Sequence, residues 1–174
     1  MFRIYSALLF LIISLQLFAK DNIQIGAYYF DGWSGHSYSK EAWAKNAPTN
    51  MSYKLLTQYS NRKPIWGWRD DNQTIMDEQI QLASKNGINF FSFCWYWSKD
   101  EGNIDSSQII NNPLNTGIRL FRKSKIKKEM KFSLLIANHQ GFNIKTKENW
   151  IQALTYIIHS VTLLDSPSSR YCSI

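Results

Sequence analysis

Apolar residues recur along this chain in two alternating spacings. Three runs are rich in β-branched and aromatic residues, as is typical of strands, and they cover residues 23–30, 88–95 and 131–137. Elsewhere, apolar residues recur every three or four positions, which is the spacing of one face of a helix. The predicted helix faces are Met76–Ile80–Ala83, Leu114–Ile118–Phe121 and Trp150–Leu154–Ile157. The order is therefore strand, helix, strand, helix, strand, helix.

Signals at the ends of these segments support the same order. Asp71 or Asn72 can cap the first helix, Gly87 can end it in a left-handed conformation, and Thr146 can cap the last one. The run 88–95 is apolar at nearly every position, as expected of a strand covered on both faces of a parallel sheet. Alternation of strands and helices predicts βαβ units, and hence an α/β fold with parallel strands. The glycines after the first strand do not have dinucleotide-binding spacing.

Aromatic and polar residues cluster where the three predicted strands end. In a parallel barrel, the loops after the strands' carboxyl ends build the functional site. The candidate site residues at these ends are Tyr28, Tyr29, Trp33, Trp95, Tyr96, Trp97, Asn138 and His139. Sugars present apolar C–H faces ringed by hydroxyl groups, which aromatic rings can cover and amide or imidazole groups can hydrogen-bond. The sequence therefore predicts a saccharide-binding cleft at this rim.

Packing in the core is the alternative interpretation of these rings. Alternation along a strand sends Trp95 and Trp97 to one side and Tyr96 to the other, so at least one of the three is expected to pack against helices. A lone histidine is more often structural, and the position of His139 beside Asn138 at a strand end is what favours binding. Both interpretations stay open at this point.

The first nineteen residues differ from the rest of the chain. Arg3 supplies a positive start, residues 7–17 form a mostly apolar run, and Ala19 follows. This layout is that of a secretory signal peptide. A retained membrane anchor is the alternative, although the run is short for a full span. We therefore expect residues 1–19 to be a signal peptide and residues 20–174 to be secreted or periplasmic, with no stable membrane insertion.

Composition and charge narrow the classes of partner. Aromatic residues make up 15% of the 174 residues, which argues against disorder, and the formal net charge is +7. Much of this charge lies between Arg122 and Lys131, and a nucleic-acid patch is one interpretation of such a run. The run holds no aromatics for base stacking, so we predict a solvated helix end and no nucleic-acid partner. Cys94 is expected to be a buried free thiol, and neither it nor Cys172 has a metal-ligand partner at useful spacing, so we predict no metal and no cofactor.

Three segments taken together resemble the glycoside hydrolase family 99-like proteins. They read GAYYFDGW, PIWGWRDDNQTIMDEQIQLASKNGINFFSFCWYW and MKFSLLIANH, and the likeness spans residues 23–158. This family includes endo-acting α-mannosidases and mannanases, and relatives encoded with bacterial polysaccharide-biosynthesis genes. The resemblance implies the first three units of a partial (β/α)8 TIM barrel that acts with retention on α-linked polysaccharide or glycan. The residues that it places at the sugar site are Tyr28, Tyr29, Trp33, Trp95, Trp97, Asn138 and His139.

Catalytic residues are not among those that the resemblance supplies. In that family the acidic residues lie late in the barrel, beyond residue 174, and a retaining glycosidase needs two carboxyl groups about 5 Å apart. The acidic pair at 70–71 is expected to cap a helix, the pair at 77–78 lies on that helix's first turn, and the adjacent pair at 100–101 should point apart. We therefore expect the N-terminal part of a truncated exported hydrolase, inactive alone. The alternative is a non-catalytic carbohydrate-binding protein.

Overall fold

In the part of the chain that the structure describes, three parallel strands form one sheet in chain order. The computed structural model describes residues 23–97, 106–139 and 141–162. The strands are β1 (Gly26–Tyr29), β2 (Phe90–Trp95) and β3 (Lys131–Ile136), with β2 in the centre. Phe90 of β2 lies opposite Gly26 of β1 and Lys131 of β3. This confirms the predicted α/β class and parallel pairing, although β1 is shorter than predicted, since Ile23 and Ile25 precede it with exposed side chains.

Helices connect and follow the strands. They are α1 (Tyr53–Thr57), α2 (Gln73–Lys85), α3 (Ser106–Ile110), α4 (Thr116–Lys123) and α5 (Lys147–Tyr156). Short 3-10 turns lie at Ala42–Ala44, Ser60–Arg62, Pro113–Asn115 and Lys127–Glu129, and a π-helical segment, Ile157–Thr162, extends α5. Of the two predicted caps of α2, Asn72 serves: its side chain accepts the backbone N–H of Thr74 at 2.8 Å. Thr146 caps α5 by accepting the N–H of Asn149 at 3.1 Å, as predicted.

The main core lies between one face of the sheet and the helices. Every second residue of β2 is buried on this face; these residues are Phe91, Phe93 and Trp95. The predicted stripe of α2 is confirmed, because Met76 and Ile80 are fully buried in the same cluster. Ile118 and Phe121 of α4 and Ala153 of α5 complete the contact. Burial of these side chains supplies most of the driving force that holds the helices on the sheet.

Two predicted helix faces hold except at one position each: Ile118 and Phe121, and Trp150 and Ile157, meet the core as predicted, whereas Leu114 and Leu154 do not. In α5 the fully buried position is Ala153, while Leu154 is exposed. Residues three and four positions apart share a helix face, and the small alanine is the one that meets the core. Leu114 precedes α4 and lies in a tight 3-10 turn, where its N–H is bound by the Asn112 side chain at 3.0 Å. This turn directs Leu114 away from the predicted core stripe.

The opposite face of the sheet is not covered by the residues that the structure describes. Phe90, Ser92 and Cys94 of β2 are half-buried there. Tyr28 is 80% exposed and Leu135 is 47% exposed. The expectation that β2 is covered on both faces therefore holds on the helix side only. Cys94 carries a free thiol, as predicted, but it is half-buried rather than buried.

The basic run forms a solvated helix end, as predicted. It covers the end of α4 and the turn Lys127–Glu129, with exposed side chains at Lys123, Lys125 and Lys128. Within the described ranges, no helix has the length and apolar character needed to cross a bilayer. The predicted signal peptide (1–19), the acidic pair at 100–101 and Cys172 lie outside the described residues.

Candidate functional site

A cleft of about 520 Å³ opens where the chain leaves the carboxyl ends of the strands. Each strand contributes an aromatic side chain to it from the residues that follow: Phe30 after β1, Tyr96 after β2, and His139 and Phe142 after β3. The rest of its lining comes from the long segment between β1 and α1 and from the segment of α3 and the turn before α4. Loops at this edge of a parallel sheet are where ligands bind in α/β proteins.

Tyr96 is the centre of an aromatic wall in this cleft. The centroid of its ring lies 4.8 Å from that of Phe142, 6.0 Å from that of His139 and 6.3 Å from that of Phe30. All three contacts are edge-on, which is a favourable geometry for aromatic pairs. Tyr96 is only 7% exposed, so its neighbours hold the ring firmly. Burial, followed by the charges of Cys94 and Asp31, raises the pKa of the Tyr96 hydroxyl, which therefore remains a neutral hydrogen-bonding group.

A buried asparagine fixes the backbone of Tyr96. The Asn115 side chain accepts the Tyr96 N–H and donates to the Tyr96 carbonyl, both at 2.8 Å. Its amide nitrogen also reaches the carbonyl of Ile109 at 3.4 Å. Asn112 adds a bond from its amide to the Trp97 carbonyl at 3.3 Å. The chain after β2 is thus held at successive peptides, so the direction in which Tyr96 points is set by the scaffold.

Neutral polar side chains make up much of the remaining lining. Asn50, Gln108, Asn111 and Asn112 border the cleft together with Tyr38. Asn50 donates to the carbonyl of Gly32 at 2.8 Å, which ties its loop to the end of β1. Side-chain amides offer donors and acceptors at once, and the described lining contains no Asp, Glu, Lys or Arg. The cleft therefore combines ring surface with uncharged hydrogen-bonding groups.

Among the predicted site residues, Tyr96 and His139 come together in this cleft. Trp95 and Trp97 are each 1% exposed and belong to the helix-side core, where their ring centroids lie 6.2 Å apart. This confirms the predicted separation of these two tryptophans from Tyr96 by strand alternation. Tyr29 lies on the same helix side, against Phe91 and Phe93, and its hydroxyl donates to Gln79. These three rings thus stabilise the core instead of bordering the cleft.

The other predicted residues, Tyr28, Trp33 and Asn138, are not part of the lining of the cleft. Tyr28 projects from the uncovered face of the sheet. Trp33 stacks against Trp68, with ring centroids 4.8 Å apart, in a second small core under the long loop. The Asn138 side chain accepts the N–H of Ile144 at 2.8 Å and so shapes the loop after β3. Packing against Trp68 therefore fixes the position of Trp33, and the hydrogen bond to Ile144 fixes that of Asn138.

Two carboxyl groups are buried behind the end of β1. Asp31 is fully buried; one of its oxygens accepts the N–H of Gly117 in the first turn of α4 at 2.7 Å, and the other has no partner among the described residues. Asp70 accepts the Ser34 hydroxyl at 2.7 Å and the N–H of Trp33 at 3.0 Å. Asp70 therefore anchors the loop after β1, which corrects the expectation that it caps α2. Neither carboxyl group borders the cleft.

Burial makes both carboxyl groups hard to ionise. It raises the pKa of Asp31 well above the usual range, the charge of Asp70 raises it further, and the Gly117 N–H and the Arg119 charge oppose the shift. Burial also raises the pKa of Asp70, although the hydrogen bonds from Ser34 and Trp33 act to lower it. The same burial, with the charges of Asp31 and Asp70, raises the pKa of Tyr29. The folded chain therefore retains a proton on Asp31 under conditions that ionise an exposed aspartate.

Because folded Asp31 retains its proton to a higher pH than an unfolded aspartate, we expect the free energy of unfolding to decrease as the pH rises. An unfolded aspartate releases its proton near pH 4, whereas folded Asp31 keeps it to a higher pH. Above about pH 4 the unfolded state then binds fewer protons, so the free energy of unfolding falls by up to about 1.4 kcal/mol per pH unit until the folded group ionises. Urea unfolding at a series of pH values should show this slope, and Asp31→Asn should reduce it to the part that the raised pKa of Asp70 contributes. The control Asp77→Asn should keep the slope of the wild type; a flat wild-type profile would refute the assignment.

Several cleft residues were missed at the sequence level. Phe142 follows a turn in which its N–H bonds to the carbonyl of His139 at 2.8 Å, which folds it back toward Tyr96. The Asn–Asn–Pro run at 111–113 was a turn signal that placed polar groups beside β2's end. Among the described residues, no group of three His, Cys, Asp or Glu side chains could hold a metal ion.

Comparison of the chain with family models, with curated proteins and with solved structures found no match in any of the three.

Proposed function

We propose that the cleft binds a saccharide, and that the chain is part of an exported glycoside hydrolase family 99-like protein. The observation that carries this proposal is the wall of Tyr96, His139 and Phe142, which shares one cleft with uncharged amide side chains. Aromatic rings cover the C–H faces of a sugar ring, and amides bond the hydroxyl groups around its edge. The three parallel strands are, on this proposal, the first units of a (β/α)8 barrel.

The charge of the lining favours an uncharged ligand. A phosphorylated or polyanionic ligand would call for Lys or Arg in the cleft, and the described lining has neither. Its polar residues, such as Asn111 and Gln108, suit hydroxyl groups instead. A neutral oligosaccharide with α-linkages, as in the family that the chain resembles, meets these requirements.

Binding is better supported than hydrolysis. A retaining glycosidase places two carboxyl groups on either side of the scissile bond. Asp31 and Asp70, the buried carboxyl groups among the described residues, do not line the cleft and accept hydrogen bonds from Gly117 and Ser34. On this proposal the cleft binds the glycan, and we expect the chain to do so without cleaving it.

Calorimetric titration of the chain with α-linked manno-oligosaccharides tests this proposal. We expect measurable binding and no release of reducing sugar. Tyr96→Ala should weaken binding about tenfold, which corresponds to about 1.4 kcal/mol, because it removes the ring at the centre of the wall. The matched control is Tyr28→Ala, which removes an exposed tyrosine on the uncovered sheet face and should leave affinity unchanged.

Two outcomes would contradict the proposal. One is the absence of binding to any neutral oligosaccharide at millimolar concentration. The other is an equal loss of affinity in Tyr96→Ala and Tyr28→Ala, which would move the binding surface from the cleft to the sheet face. Circular dichroism of both variants should show the wild-type spectrum, so that a loss of binding is not a loss of fold.

A further inference from the structure

Basic side chains collect at the edge of the sheet where the strands begin, opposite the edge that carries the cleft. The run 122–131 contains the end of α4, the turn Lys127–Glu129 and the first residue of β3. It holds six Lys or Arg and a single acid, Glu129. Its exposed basic side chains are Lys123, Lys125, Lys128 and Lys131. We call the run 122–131, together with Lys85 at the end of α2, the basic edge.

Hydrogen bonds between distant segments hold the basic edge together. Ser84 donates its hydroxyl to the carboxylate of Glu129 at 3.0 Å, which brings the end of α2, with Lys85, to the turn before β3. Lys131 donates from its Nζ to the side-chain oxygen of Gln24 at 3.2 Å, in the residues that precede β1. The basic side chains of α2, of the turn and of β3 therefore share one surface of the folded chain.

The helix ends account for only part of this charge. A lysine in the last turn of a helix is stabilised by the helix dipole, which explains Lys85 and Lys123. Lys125 and Lys128 lie beyond the end of α4 and are exposed. In the described ranges, no ion pair involves either of these two lysines. The basic edge therefore presents positive charge to a partner outside the chain.

Exposed aliphatic side chains lie beside this charge. Ile23 is 79% exposed and Ile25 is 53% exposed, on either side of the Gln24 that Lys131 contacts. Aliphatic groups next to lysines suit the boundary of a bilayer, where the former enter the headgroup region and the latter meet anionic lipid headgroups. A surface for single-stranded nucleic acid would call for rings that stack on bases, and the basic edge contains no aromatic residue.

The order of the chain places the basic edge close to a membrane during export. The predicted signal peptide, residues 1–19, precedes this edge, and residues 20–22 separate it from Ile23. Three residues span at most about 11 Å, which is comparable to the screening length of about 8 Å at physiological salt. While the apolar run 7–17 occupies a membrane, the basic edge is therefore near enough to be attracted by anionic lipids.

We propose that the basic edge is a docking surface for a membrane that carries anionic phospholipids. Its lysines bind the lipid phosphates, while Ile23 and Ile25 enter the headgroup region. The cleft follows the opposite ends of the strands, so docking leaves it open to a ligand. This docking is independent of what the cleft binds, and a chain that binds no saccharide would still bind the membrane.

Co-sedimentation of the full chain with two kinds of vesicle tests this surface. Vesicles of phosphatidylcholine alone measure the binding that needs no lipid charge, and vesicles that also contain phosphatidylglycerol add the charge. We expect partition onto the anionic vesicles to exceed that onto the neutral ones at least about tenfold at low salt. Added salt should remove the excess, because it screens charges at a surface.

Two triple variants locate the charge that is responsible. The variant Lys123→Gln, Lys125→Gln, Lys128→Gln should lower the partition onto anionic vesicles about tenfold, since each lysine near such a surface adds to the attraction. The control removes the same charge from exposed positions that follow the carboxyl ends of β1 and β3, and should keep the wild-type excess. Its substitutions are Lys40→Gln, Lys45→Gln and Lys147→Gln.

Each other outcome overturns the proposal. Equal partition of the wild-type chain onto both kinds of vesicle excludes the docking surface. An equal loss in the two triple variants makes net charge responsible rather than the basic edge. Binding to a short DNA duplex that the first variant loses, without an excess on anionic vesicles, assigns the surface to nucleic acid instead. If the first variant does not fold, Lys125→Glu replaces it, and an unchanged excess in that variant likewise overturns the proposal.

Discussion

Replacement of Trp95 by alanine is expected to lower the free energy of unfolding by about 3–5 kcal/mol. Trp95 ends β2, is 1% exposed and contacts Trp97 and Tyr156 in the helix-side core. Truncation removes a large buried ring and leaves a cavity that the helices can only partly fill. Since a small domain is stable by about 5–15 kcal/mol, the change removes a large share of the total. Chemical denaturation followed by circular dichroism measures it.

Tyr28→Ala is the control that gives this experiment its meaning. Tyr28 also belongs to the aromatic residues at the strand ends, but it is 80% exposed. Its truncation should change stability by no more than about 0.5 kcal/mol. If Trp95→Ala proved as mild as Tyr28→Ala, Trp95 would have to lie on the surface, and the division of the strand-end rings into core and cleft would be wrong.

Replacement of Gly117 by alanine is expected to destabilise the fold by about 1–3 kcal/mol. Alanine usually favours a helix over glycine, so the expected sign is the reverse of the general rule. An added Cβ would lie 2.5 Å from the bound oxygen of Asp31 and 2.6 Å from the ring of Tyr29. Both neighbours are packed between β1 and α4 and cannot move far. Equilibrium unfolding of Gly117→Ala and the wild type in parallel measures the difference.

A double-mutant cycle separates this clash from other effects. Asp31→Ala removes the carboxyl group that the new Cβ would meet. In that background Gly117→Ala should cost less than in the wild type, because neighbouring substitutions that share a contact are not additive. Strict additivity, or a stabilisation by Gly117→Ala alone, would show that α4 does not approach β1 as closely as the structure has it.

Local patterning was sufficient to predict the sheet and the two sides of β2. A strand has a period of two, so Trp95 and Trp97 had to share one side and Tyr96 the other. In α2, the helical repeat of three to four residues placed Met76 and Ile80 on one face, and that face is buried in the core. In α5, the spacing correctly placed Trp150 and Ile157 against the core, but between them it chose Leu154, whereas the structure buries Ala153, which lies three positions from Trp150 and four from Ile157.

Contacts between distant segments were beyond such patterns. Asp31 and Gly117 are 86 positions apart, and nothing in either local sequence indicates that the end of β1 meets the start of α4. The cleft depends on the same kind of contact, since Phe142 and the segment of Gln108 approach Tyr96 from separate loops. Predicting that rings gather at the strand ends was possible; predicting which of them pair required the path of the loops.

The most direct test of the account is an NMR study of the labelled chain with an α-linked manno-oligosaccharide. Nuclear Overhauser contacts from the C–H groups of the sugar should reach the ring protons of Tyr96 and Phe142, while those of Trp95 and Tyr28 receive none. Contacts to Tyr28 or Leu135 on the uncovered sheet face, or no contacts at any protein ring under saturating sugar, would contradict the claim that the cleft at the strand ends binds a saccharide.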